Sequence, residues 1–220
     1  MSRSNKTSSF PLPYPLCRGY LLAVFADMSM LVNEGGCGRD HFLHWGVGVL
    51  PDGQQEFLGV WHEPVSTASV WGAIADDLTA RGVEDIRFVV GSDSTGIKAA
   101  MRAAYPGVVA ILSIGHFFPQ TRDGLSFPPE HVGPPHALTP RHRSILVKAV
   151  SAVNRLNQGL SRAVTRHGYF PNEEAATKFV VDKINRAERD LDAFSVDAFA
   201  DSARPAARAI GTARIAAPGA

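Results

Sequence analysis

Two aspartates in this chain stand where a carboxylate needs a reason. Asp27 lies inside the apolar run Leu21–Val32, and a charge in the middle of a buried strand is costly unless it is paired or metal-bound. Asp93 follows the short apolar run Ile86–Val90, in a polar turn with Ser92, Ser94 and Gly96. A run of that kind suits a central strand of a parallel sheet, and open α/β sheets keep their chemistry just beyond the carboxyl ends of the strands. An Asp ahead of a helix also serves as an N-cap for the first free amides. On this stretch alone, cap and catalyst both stay open.

The surrounding pattern says what must position them. Leu21–Val32 reads as a strand, Glu34-Gly-Gly-Cys-Gly as a turn, and His41–Leu50 as an alternating strand. Pro51-Asp52-Gly53 is a tight turn, and Gln55–Trp61 is the return strand of a three-strand antiparallel meander. Val70, Trp71, Ile74 and Leu78 recur at helical spacing within Ser66–Arg81, with Gly82 as the C-cap. The strand at 86–90, a helix over Thr95–Tyr105 and a short strand at Val108–Leu112 follow. The predicted fold class is α/β: the meander plus parallel strands in one mixed sheet, then C-terminal helices. The ribonuclease H-like fold has this order of elements, and its first and fourth strands are neighbours. That arrangement would set Asp27 beside Asp93, where two carboxylates repel unless a divalent cation sits between them.

The 220 residues suffice for one α/β domain with extensions. A net charge of +1 says nothing about partners, so only the distribution of charge is informative. Cys17 and Cys37 are too few for a disulfide framework and lack zinc spacing, which reads as a reducing, cytoplasmic setting. The start has no apolar signal core, and Tyr20–Val32 is too short and too interrupted for a membrane span. The expected organisation is a disordered leader (1–18), a ribonuclease H-like core (19–116), a Pro/Gly-rich linker (117–140), a helical continuation of the core (141–199) and a frayed tail (200–220).

The helical continuation carries a one-signed face. Leu146, Val150, Val153, Leu156, Leu160 and Val164 form its apolar stripe, while Lys148, Arg155 and Arg162 repeat at seven-residue intervals on another face. No Asp or Glu occurs between His131 and Asn172. Such a face is either simply solvated or a contact for a phosphate backbone, with Arg166 extending it. Other constellations carry less. His41-x-x-His44 falls on a strand, where that spacing turns the rings to opposite faces and disfavours zinc. His131, His136 and His142 read as solvated loop histidines. Gly35, Gly36 and Gly38 lack the strand-to-helix setting of a phosphate loop. Trp45, Trp61 and Trp71 read as core.

Taken together, four stretches resemble the Mutator-type transposases of bacterial insertion sequences, over about Tyr20 to Leu191. LLAVFADMSMLV resembles the first catalytic strand, and GVGVLPDGQQEFLGVWHEPVSTASVWGAIADDLTARGVEDIRFVVGSD resembles the segment leading to the second Asp. STGIKAAMRAAYPG with Ser113-Ile-Gly-His116 resembles the next helix and a Cys-x-x-His element. SAVNRLNQGLSRAVTRHGYFPNEEAATKFVVDKI resembles the helix of the third acid and the Gly-x-Phe-Pro segment after it. The resemblance implies a DDE-type nuclease and strand transferase acting on insertion-element ends and target DNA, with two divalent cations, Mg²⁺ or Mn²⁺. Asp27 and Asp93 would be the metal ligands, and His116 would occupy the family's His position. Partners implied are DNA and a second transposase subunit, as a homo-oligomer or with a full-length transposase, without a membrane.

The departures from the pattern shape the alternative. Asn154 stands where the family has its third acid, Ser113 where it has Cys, and Ser94 where Gly is frequent. Set against the family pattern, the usual helical insertion is expected to be reduced to the linker, and the amino-terminal DNA-binding region of full-length members is expected to be missing. Glu130, Glu173 or Glu174 are the candidates for a substitute third ligand. The chain therefore reads as a transposase core whose activity these departures would impair or, alternatively, as a non-catalytic remnant that binds DNA or pairs with another subunit. A nuclease of the same fold without strand transfer is the third reading.

Overall fold

A computed structural model describes the backbone of residues 8–9, 15–63, 70–91, 95–108, 110–113 and 139–195. Its organising element is β2 (Gly19–Glu34), 16 residues long. Alternation along a strand sends successive side chains to opposite faces. Leu22, Val24, Ala26, Met28, Met30 and Val32 pack on one face, and Ala23 and Phe25 on the other. Because both sets are apolar, β2 is covered on both sides, and two separate hydrophobic cores form around it.

Gly35 and Gly36 turn the chain with φ of 62° and 91°, the left-handed pair that a two-residue hairpin of type I′ requires. Pairing therefore resumes at once, with Glu34 opposite Cys37. β3 runs Cys37–Val49, four residues earlier than the Gly-rich sequence suggested. Pro51–Gly53 returns the chain into β4 (Gln55–Glu63), antiparallel to β3 with a bulge at Gly46/Val47. Gly46 and Gly48 are required by close approach: a Cβ at Gly48 would lie 2.4 Å from the Tyr20 ring, and one at Gly46 2.8 Å from Phe25. Ser8–Ser9, inside the stretch read as a leader, form β1 against His62 and Trp61, and Leu16 joins the core.

Helix α1 (Val70–Ala80) buries Val70, Trp71, Ile74, Ala75 and Leu78. It ends as expected at Gly82, φ 102°, where Val83 N donates to Leu78 O and Gly82 N to Thr79 O, a Schellman cap. β5 (Asp85–Gly91) then lies parallel to β2, from Gly19↔Asp85 to Val24↔Val90. Helix α2 (Thr95–Ala104) leads to β6 (Ala110–Ser113), parallel to β5. The sheet order is β1-β4-β3-β2-β5-β6, a mixed sheet in an α/β chain, with α1 and α2 on one face.

Helix α3 (Pro140–His167) covers the opposite face through Leu146, Val150, Val153, Leu160 and Val164. Thr139 caps it by accepting from His142 N, and Pro140 occupies the first turn, where its missing N–H costs nothing. Gly168, φ 83°, stops it. Tyr169–Phe170 then form β7, parallel to Leu31 and Val32 of β2, a pairing too short to be visible as a strand in sequence. Helix α4 (Glu173–Ser195) follows, its N-cap Asn172 accepting from Ala175 N at 2.8 Å. The linker expected over 117–140 falls almost wholly outside the described residues, and the tail from 200 entirely so.

Candidate active site

The same edge of β2 meets two strands with an interval between them. β5 pairs with it up to Val24 and β7 from Leu31, so among the described residues the positions between have no strand partner on that side. Asp27 sits in this notch, half-buried, directly opposite His44 of β3. α3 fills the notch from above. Asn157 Nδ2 donates to the main-chain oxygen of Asp27 at 3.3 Å, and its Oδ1 accepts from Trp45 Nε1 at 3.0 Å. One side-chain amide thus ties the helix, the fully buried indole and the backbone of the aspartate together.

Asp27 follows Phe25 in the alternation, so its side chain faces α1 rather than α3. Its neighbour there is His44, buried and edge-on to Trp71 at 5.3 Å between ring centroids. Burial pushes the His44 pKa below the usual imidazole range, against the opposing pull of the Asp27 and Glu63 carboxylates. The ring is therefore neutral at pH 7. Among the described residues no Lys or Arg lies within salt-bridge distance of the Asp27 carboxylate. A half-buried carboxylate facing a neutral ring keeps its lone pairs for an added cation, and its oxygens are the hard donors that Mg²⁺ or Mn²⁺ takes.

The other anticipated residues divide clearly. Asp93, His116 and Glu130 lie outside the described residues, two of them just past the ends of β5 and β6. Asn154 is half-buried on α3, three residues before Asn157 and so on the adjoining helical ridge. Lys148, Arg155, Arg162 and Arg166 are all exposed on α3, and Arg162 Nε donates to Gln158 O. Glu174 is exposed. Glu173 is brought to His41 and His62 on the α3/α4 face of the sheet. His41 and His44 do face opposite ways, as strand spacing demands: Leu43 and Trp45 share the face of His41, whereas His44 meets Trp71. Trp45 is core, but also a hydrogen-bond donor. Sequence reasoning missed Asn157 and His62, and set His44 aside. Only Asn157 left a signal, as a polar residue in the apolar stripe beside Leu156 and Leu160.

The sequence model of the family described as "Transposase, Mutator family" matches residues 14–126, just over half of the chain. This chain belongs to the Mutator family of transposases. Among curated relatives, it is 25% identical over 222 residues to a probable transposase for insertion sequence element ISRM3-like of Sinorhizobium fredii, covering 80% of this chain and 55% of the relative. The same figures hold for the transposase for insertion sequence element ISRM3 of Rhizobium meliloti. A probable insertion-element transposase of Corynebacterium diphtheriae is 30% identical over 94 residues, 42% of this chain and 27% of that one. The chain spans about half the length of the first two relatives. Among the described residues of this Mutator-family chain, no helix is long and apolar enough to cross a membrane.

Proposed function

We propose that this chain is the catalytic core of a Mutator-type DDE transposase with a ribonuclease H-like fold, cleaving DNA at insertion-element ends and joining it to target DNA in the cytoplasm. The observation that carries this reading is the parallel register of β2 and β5. Its last pair is Val24↔Val90, and Asp27 and Asp93 each come three residues after that pair. Equal offsets from a shared register are what two carboxylates need to converge on one cation. Asp27 and Asp93 are the proposed metal ligands, with Asn154 in the place of the third acid and His116 beside the site.

Asp27 and Asp93 would hold divalent cations there, and these would supply Lewis-acid polarisation of the scissile phosphate and activation of a water or 3′-hydroxyl. Asp27 supplies one fixed carboxylate, and Asn157 and His44 restrain its backbone and its surroundings. Asn154 stands where the family has its third acid, but it offers a carbonyl oxygen without charge and lies on α3, across the sheet from the Asp27 side chain, so a second cation would be held weakly. The exposed basic ridge Lys148, Arg155, Arg162 and Arg166 lies on the helix that touches Asp27 and would follow the DNA backbone.

Asn154 also favours the second reading, a non-catalytic subunit that binds DNA or pairs with another transposase. The deciding experiment is Mn²⁺-supported cleavage of element-end DNA by the wild type, Asp27→Asn, Asp93→Asn and Asn154→Glu. Catalysis predicts loss in the first two variants and a gain in the third. DNA binding with no cleavage by the wild type or by Asn154→Glu would leave only the binding role.

A further inference from the structure

On the face of the sheet away from Asp27, three side chains from β3, β4 and the first turn of α4 converge. His41 Nδ1 lies 3.1 Å from His62 Nε2 and 3.8 Å from a Glu173 oxygen, and His62 Nδ1 lies 3.5 Å from the other. One ligand atom from each residue can be chosen so that all fall within 4.8 Å of one another. Tetrahedral zinc with bonds of about 2.0–2.1 Å spaces its ligand atoms by about 3.3 Å, so these separations bracket what a shared ion needs.

Each surrounding detail suits a cation better than a simple hydrogen-bonded trio. Both rings are almost completely buried, yet His41 Nε2 and His62 Nδ1 have no aligned hydrogen bond. Burying polar nitrogens in this way is costly without compensation. Glu34 holds a carboxylate oxygen 3.2 Å from His41 Nε2, the position of an outer carboxylate that turns the opposite nitrogen of a ligand histidine toward a metal. Glu173 is spared from capping α4, because Asn172 does that. It is also partly exposed, at 40% of its side chain, which leaves a path for an ion to enter.

We propose that His41, His62 and Glu173 form a second metal site, one that takes Zn²⁺ or a similar borderline transition-metal ion and fastens α4 to the meander. Two imidazoles and one carboxylate select such an ion over Mg²⁺. Three protein ligands leave a fourth position for water. The site does not depend on Asp27 or on any activity toward DNA.

The test uses the full chain, stripped with chelator, reloaded with ZnCl₂ and dialysed, with zinc counted by mass spectrometry and the thermal midpoint recorded. The wild type and Asp27→Asn should each retain one equivalent and melt at a higher temperature with zinc than without. Glu173→Ala, a truncation at a partly exposed position, should keep its fold yet bind zinc at least about 100-fold more weakly, since losing only an outer-sphere partner costs about 10–100-fold. His41→Gln should behave alike, and Co²⁺ should give the visible absorption of a low-coordinate site in the wild type and Asp27→Asn but in neither ligand variant. No retained zinc in the wild type, or retention unchanged in both Glu173→Ala and His41→Gln, would overturn the proposal.

Discussion

Asn157 donates to the main-chain oxygen of Asp27 across 130 residues of sequence, at 3.3 Å. This bond closes the interval that β5 and β7 leave on the edge of β2, and it does so from the helix that bears the basic ridge. The aspartate's backbone is therefore held by the same element that would lie along DNA.

Replacing Asn157 with Leu should uncouple the two. Trp45 Nε1 would lose its acceptor while fully buried, and the Asp27 carbonyl its donor, for a loss of about 1–3 kcal/mol in stability. Urea denaturation measures that loss. Any Mn²⁺-supported cleavage should fall further than the unfolded fraction explains, because the carboxylate's backbone anchor is gone.

Charge reversal on the exposed face of α3 addresses DNA. Arg155→Glu and Arg162→Glu should weaken binding equally for all sequences and lower the slope of log K against log salt by about one per phosphate contact. Fluorescence anisotropy at several salt concentrations reads both quantities. A change confined to one DNA sequence, with the slope preserved, would argue against a backbone contact.

Gly48 reports on the packing between β3 and β2. Gly48→Ala puts a methyl 2.4 Å from the Tyr20 ring, and displacing a fully buried tyrosine should cost about 1–3 kcal/mol. Gly72→Ala, where a Cβ meets nothing within 4 Å, is the matched control and should be neutral or slightly stabilising in the helix. Thermal unfolding of the pair separates the close approach from the general effect of removing glycine.

Alkaline stability follows from the same tyrosine. Burial, then the hydrogen bond Tyr20 donates to Glu56, raises its pKa well above the usual value of 10, and burial raises that of Tyr105. Each stays protonated in the folded chain while its unfolded counterpart ionises near pH 10. The unfolded state then binds fewer protons, so stability falls as pH rises above about 10. Tyr20→Phe should flatten that decline in unfolding curves collected between pH 8 and 11.

The periodic signals in the sequence located the meander, α1, β5 and the long helix α3 because each is set by local alternation or by punctuation such as Gly82 and Gly168. Legibility ended where a contact joins distant positions. His62 falls just past the strand read over Gln55–Trp61 and carries no spacing signal, and it meets His41 only because the β3–β4 register and the entry of α4 bring them together. The two-residue β7 is carried by β2 rather than by its own composition. Asp27 stands out in the sequence because a charge inside an apolar run violates a local rule. Asn157 breaks the same rule more mildly, one turn after Asn154, and its partner could be found only in three dimensions.

The return of Tyr169–Phe170 to β2 has a mechanical consequence. Strand and helix are joined twice, once at Asp27 and again at Leu31–Val32, so together they make a closed brace instead of a lever hinged at one end. A load placed on the outer side of α3, such as a rigid duplex, is shared between both attachment points. The stretch of β2 that carries Asp27 would then keep its position under such a load.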